Sequence, residues 1–143
     1  MPGWDRASSG VRIQEAERLA NKMDTQEQFL RKIRNEERER LQYVAQAVFP
    51  NVIKGLRPIA KRLGYSLAVH GSQLRDCDLV ACPWVTGAAD PSALIETIKK
   101  HIPGVMTHVD DPASKPNGRL AWCLYFWCDD HLLTIDISVM PSK

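Results

Sequence analysis

Three aspartates have a type and spacing that point to chemistry. Asp76 and Asp78 are two residues apart at the start of an apolar run, 77–82, that reads as a β-strand, so both carboxylates project from one face. Further along, Leu133, Ile135, Ile137 and Val139 alternate with Thr134, Asp136 and Ser138, which puts Asp136 on the polar face of a last strand over 132–140. If these two strands are neighbours, three carboxylates converge on one patch, where divalent cations relieve their repulsion. Oxygen-only ligands suit magnesium or manganese. Upstream, Gly71 and Ser72 end a strand over 66–70, where backbone amides and a hydroxyl are available to a phosphate. Phosphates bridged by two metals make a phosphoryl-transfer site, in which positioning and charge neutralisation supply most of the catalysis.

The remaining candidates read more simply. His70 is a strand-end residue at the edge of the acidic patch, and His101, His108 and His131 show no ligand spacing. Cys77 and Cys82 repeat the spacing of Cys123 and Cys128, but residues five apart on a strand point to opposite faces, so buried free thiols are expected rather than a zinc site. Trp84, Trp122, Tyr125, Phe126 and Trp127 read as sheet packing, with base stacking by one of them as the alternative, and Lys115, Asn117 and Arg119 as a solvated loop, with contact to a phosphate as the alternative. There is no GxxxxGK[ST] loop, GxGxxG, HExxH or G-x-S-x-G.

A strand ending in Gly-Ser, a D-x-D at the start of the next strand and a third Asp on a later one resemble the DNA polymerase beta-like nucleotidyltransferase superfamily. The resemblance covers residues 64–140. It implies that Gly71 and Ser72 hold a nucleoside triphosphate. It also implies that Asp76, Asp78 and Asp136 bind Mg2+ or Mn2+ and are catalytic, with Asp136 helping to activate the acceptor. The reaction it implies is transfer of a nucleoside monophosphate to a hydroxyl of an RNA, a small molecule or a protein. Gln73, Leu74 and Arg75 alone separate Gly-Ser from D-x-D, where most members have a longer spacer. Three residues make a tight turn between antiparallel strands, and Arg75 then supplies positive charge in place of a helix N-terminus.

The elements that must position these residues follow from periodicity. From 11 to 63 the apolar residues recur at helical spacing, in three expected pieces. One starts after Ser8, Ser9 and Gly10, one restarts at an Asp24/Glu27 capping box, and one follows a break at Pro50 and ends at Gly64. The stretch 34–40 has no apolar residue and is expected to face solvent or a partner. Beyond Gly64 the period changes to two: strands at 66–70, 77–82, 105–109, 120–127 and 132–140, with a helix capped by Asp90 and Pro91. The fold class is therefore α+β, N-terminal helices (1–64) followed by a small mixed sheet with one intervening helix (65–143), one domain overall.

At 143 residues, 44% hydrophobic and 25% charged, the chain has the composition of one globular domain, and no apolar run is long enough to span a bilayer. A secretory signal is not evident, so a cytoplasmic, thiol-reducing setting is expected. Net charge is +2, yet residues 1–64 hold 13 Lys/Arg against 8 Asp/Glu, while residues 65–143 hold 6 against 9. The alternative reading is a non-catalytic nucleotidyltransferase-like binding protein, of a kind carried by phages and mobile elements, docking on a protein or nucleic acid through its charged N-terminal helices. Self-association through the stripe from Phe29 to Val48 is compatible with either.

Overall fold

A computed structural model describes residues 6–107 and 112–142. The element order is α1 (Arg6–Arg62), β1 (Tyr65–His70), β2 (Asp76–Pro83), α2 (Pro91–His101), β3 (Met106–Thr107), β4 (Ala113–Ser114), β5 (Leu120–Cys128) and β6 (His131–Val139). The chain is α+β, as expected, with a long helix preceding a mixed sheet. The expected strand end at 108–109 and His108 lie outside the described residues.

The three expected N-terminal helices are one. α1 begins at Arg6, so Ser8, Ser9 and Gly10 lie inside it rather than before it. Asp24 is likewise interior: the next residue, Thr25, turns its hydroxyl back to donate to the Asn21 carbonyl at 2.9 Å, which a continuing helix allows and a cap would not. Pro50 and Pro58 are both within the helix. Each removes an N–H and crowds the carbonyl one turn back, a cost of about 3 kcal/mol. Burial of Ala45, Phe49, Ile53, Leu56, Ile59 and Ala60 around them offsets it, each large apolar side chain contributing about 1.5–3 kcal/mol. Gly64 does end the helix: its φ is +90°, and a Cβ there would meet Val85 Cγ2 at 2.8 Å.

The described residues fall into two compact units divided between Glu39 and Arg40. In the first, Val11, Ile13, Leu19, Met23, Phe29, Leu30 and Ile33 remain exposed along the helix. In the second, Ala45 is buried and Val44 and Val48 pack against the core, so this part of the expected self-association stripe serves the domain's own interior.

The sheet runs β1-β2-β6-β5-β3, with β4 also paired to β5. β2 and β6 are parallel, the other pairs antiparallel. α2 and β3 lie within the crossover from β2 that returns, through β5, to β6. Strand alternation sorts the side chains: Cys77, Leu79, Ala81, Trp122, Leu124, Ile135, Ile137 and Val139 join α1 and α2 residues such as Phe49, Leu56, Leu94 and Ile98 in a single core. The alternate residues form the other, half-buried face, where the acidic residues lie.

α2 starts at Pro91; the Asp90 carbonyl accepts from the Leu94 amide at 3.1 Å, but the Asp90 side chain makes no cap hydrogen bond. Asp129, φ +50°, and Asp130 form the expected tight turn between β5 and β6. The loop expected over 110–118 contains β4 and a 3-10 turn at Pro116–Gly118. No helix among the described residues is long and apolar enough to cross a membrane.

Every buried core residue among those described lies at or beyond Ala45. Removal of residues 1–39 is therefore expected to leave the cooperative thermal transition of the remainder within a few degrees of the full chain. Phe49→Ala is expected to cost about 3–5 kcal/mol; calorimetry on both variants checks the pair of outcomes.

Candidate functional site

β1, β2, β6 and β5 place one row of polar side chains across the sheet. His70 pairs with Asp78, Asp78 with Asp136, and Asp136 with Cys123. One step along the strands, Asp76 pairs with Thr134, and Thr134 with Tyr125. Neighbouring strands are about 4.8 Å apart, so Asp78 and Asp136 stand side by side and Asp76 lies two residues, about 7 Å, along β2. The three acids thus share one face of two adjacent strands. Among the described residues no three His, Cys, Asp or Glu side chains enclose a single ion position. The arrangement is a close pair, Asp78 and Asp136, with Asp76 beside it.

The pair has an electrostatic consequence. Burial, then the neighbouring Asp136 carboxylate, raise the Asp78 pKa above the ordinary carboxylate value; His70 opposes this, while a hydrogen bond with Asp136 and the charge of Asp76 add to it. Cys123, which sequence patterning read only as a buried thiol, completes the row. Its sulfur lies 3.1 Å from the Tyr125 hydroxyl, and burial followed by its hydrogen bond with Asp136 pushes its pKa up to about 11. Cys77, on the core face, is pushed up to about 12, by burial first and then by Asp78 and Asp136. Both thiols are held protonated and are poor nucleophiles. Cys82 and Cys128 are also free and half-buried.

The turn from β1 to β2 brings Gly71 and Ser72 to the same end of the sheet. Gly71 has φ +77°, and a Cβ on it would lie 2.8 Å from Asp78 Oδ2, so only glycine leaves the carboxylate its place. Gln73, φ +60°, braces the turn: its Nε2 donates to the His70 carbonyl at 3.0 Å and to the Asp78 carbonyl at 3.4 Å. Its Oε1 is buried without a partner among the described residues. Ser72 Oγ accepts from the Leu74 amide at 3.4 Å, and Arg75 is exposed with no hydrogen bond or ion pair among the described residues. The turn is tight, as its three intervening residues imply, and places Gly71 and Ser72 at one end of the acid pair, with Arg75 exposed just before β2.

Other candidates lie elsewhere. Trp122 and Phe126 are core residues, whereas Trp84 and Trp127 are exposed. Lys115 and Asn117 are exposed in the loop before β5, and Arg119 Nε donates to the Pro116 carbonyl at 3.3 Å. Tyr125, Thr134 and Gln73 join the polar face or its turn only through strand pairing and turn geometry; alternation places Tyr125 and Thr134 on a polar face, but nothing local in the sequence says which residues they would stand beside. No protein-family model, no curated protein and no solved structure matches the chain.

Because the folded chain binds the Asp78 proton more tightly than the unfolded chain does, stability from this group is present at low pH and declines as pH rises through the raised pKa. In metal-free buffer at neutral pH, Asp78→Asn should therefore melt at a higher temperature than wild type. The gain should disappear at about pH 3, below the ordinary aspartate value. Gly71→Ala should lose about 1–3 kcal/mol from the left-handed backbone and the contact with Asp78, read by denaturant unfolding.

Proposed function

We propose that this chain is a minimal, divergent nucleotidyltransferase that moves a nucleoside monophosphate from a nucleoside triphosphate to a hydroxyl acceptor. The observation that carries the reading is the pairing of Asp78 with Asp136 on adjacent parallel strands, with Gly71 against the Asp78 carboxylate. Burial first and then the neighbouring Asp136 carboxylate raise the Asp78 pKa, so the ionised pair is costly without a counter-charge. Half-buried oxygen donors at Asp78 and Asp136, with exposed Asp76 beside them, fit a hard divalent cation.

Asp78 and Asp136, with Asp76 beside them, would hold Mg2+ or Mn2+, which when bound neutralises triphosphate charge and stabilises the attacking and leaving oxygens. The chain's own residues do the rest. The Gly71 and Ser72 amides and the Ser72 hydroxyl position the phosphates, and exposed Arg75, unpaired among the described residues, adds a positive charge. Asp136 accepts the proton of the acceptor hydroxyl as its oxygen bonds to the α-phosphorus; the α-β bridging bond breaks and pyrophosphate leaves. His70, paired with Asp78 at the rim, holds that carboxylate toward its charged form. The acceptor is RNA, a small molecule or a protein hydroxyl, and a cytoplasmic setting supplies the triphosphate, magnesium and reduced thiols the reading requires.

Thermal unfolding with magnesium or manganese and each nucleoside triphosphate tests this without knowledge of the acceptor. At 100 times its dissociation constant a nucleotide stabilises by about 2.7 kcal/mol, a rise of roughly 10 °C for a core of this size. The rise should require the metal and vanish in Asp78→Asn and Asp136→Asn. No shift with any nucleotide would contradict the proposal and favour a non-catalytic protein that docks through its N-terminal helix.

A further inference from the structure

At the far end of β1 from His70 the chain forms a second site. A cleft of about 390 Å³ is lined by Arg57 and Lys61 of α1, Tyr65, Ser66 and Leu67 of β1, and Trp84. All six belong to the unit beyond Glu39. Arg57 and Lys61 are one helical turn apart, their Cβ atoms about 6 Å from each other on the same face. Both are exposed and neither makes an ion pair or hydrogen bond through its side chain among the described residues. Lys54 extends the same stripe by one more turn. Between Glu39 and Asp76 the chain carries six Lys/Arg and no Asp or Glu, so nothing in this stretch neutralises the stripe.

The opposite wall is an aromatic surface. Trp84 is 56% exposed, although its backbone is fixed: its amide donates to the Gly64 carbonyl at 3.0 Å. The loop that follows is tied down as well, by the Ala89 amide to the Leu63 carbonyl at 2.9 Å and by the Tyr65 hydroxyl to the Ala89 carbonyl at 2.6 Å. An exposed indole on an anchored backbone is a platform rather than a core residue. The negative end of the α1 dipole is reason enough for Lys61 and Arg62 in the last turn, but not for Lys54 or Arg57 or for the indole beside them.

We propose that this cleft binds single-stranded nucleic acid, with Arg57 and Lys61 on backbone phosphates and one base stacked on Trp84. A positively charged groove beside an aromatic platform is the combination that single strands require. A lone phosphate compound leaves Lys54 unused, and an acidic peptide offers no flat π-face. A duplex keeps its bases inside the stack, out of reach of a side chain such as Trp84. Ser66 and His70 are four residues apart on β1, about 13 Å, and their side chains share the sheet face of the acid pair. The inference goes beyond the transfer reaction and stands without it, since binding here needs neither metal nor nucleotide.

The test is fluorescence anisotropy of a short labelled oligouridylate with the full chain, without divalent metal or nucleotide, across roughly 50–200 mM salt. Arg57→Ala with Lys61→Ala should weaken binding at least tenfold and flatten the log-log salt slope by about 1.4, the value for two lost single-strand phosphate contacts. Trp84→Ala should weaken binding about tenfold at every salt concentration, and Trp84→Phe should restore most of the loss. Circular dichroism verifies that these surface variants fold. The proposal is overturned if wild type does not bind the oligonucleotide or if the variants retain its affinity and salt slope. It is equally overturned if polyglutamate or a duplex of equal charge competes as well as the single strand, which would assign the cleft to an acidic peptide or to unspecific charge.

Discussion

The parallel pairing of β2 with β6 is the constraint on which the candidate site depends. It sets Asp78 against Asp136 at strand spacing and seats Leu79 against Ile137 on the other face, so a single register serves both the acid pair and the core. A slip of β6 by one residue against β2 would turn Asp136 toward the apolar layer and bring Ile137 to the polar face beside Asp78. The repulsion between the carboxylates is therefore tolerated because the apolar face of the same strands holds the register in place. Gly71 adds a second constraint, since the acid pair keeps its place only while the residue before Ser72 lacks a side chain.

The helices act from the opposite side. The C-terminal part of α1 and the whole of α2 bury Phe49, Leu56, Leu94 and Ile98 against the apolar face, leaving the polar face to its own residues. Two prolines in α1 are held by this packing, and the Gly64 stop fixes where the loop carrying Trp84 returns to the helix end. The acid row and the cationic cleft thus lie at opposite ends of the β1-β2 hairpin.

Much of this was legible where the physics is local. Period-two alternation located the long strands, Gly64 and the Asp129-Asp130 turn marked their boundaries, and alternation alone assigned Asp76, Asp78 and Asp136 to polar faces. Their meeting was legible only as a condition, because strand adjacency is decided by packing far apart in sequence. Proline and an aspartate cap are local signals too, yet Pro50 and Asp24 did not stop α1, since burial on either side of Pro50 and good helix-forming residues around Asp24 outweigh them. Cys123, Tyr125 and Gln73 carry no motif; their place beside the acids comes from the β5-β6 register and a left-handed turn residue. The cleft was hidden for the same reason, as Trp84 meets Arg57 and Lys61 only once the loop folds back on the end of α1.

The central claim, that Asp78 and Asp136 form a divalent-cation site for a triphosphate, is tested most directly by crystallography with manganese and a non-hydrolysable nucleoside triphosphate analogue, located by anomalous scattering. The account predicts a manganese peak at about 2.1–2.2 Å from carboxylate oxygens of both residues, with phosphate oxygens on its other side against Gly71 and Ser72. Manganese absent from this pair, or a nucleotide bound elsewhere while the two carboxylates remain in contact with each other alone, would contradict it.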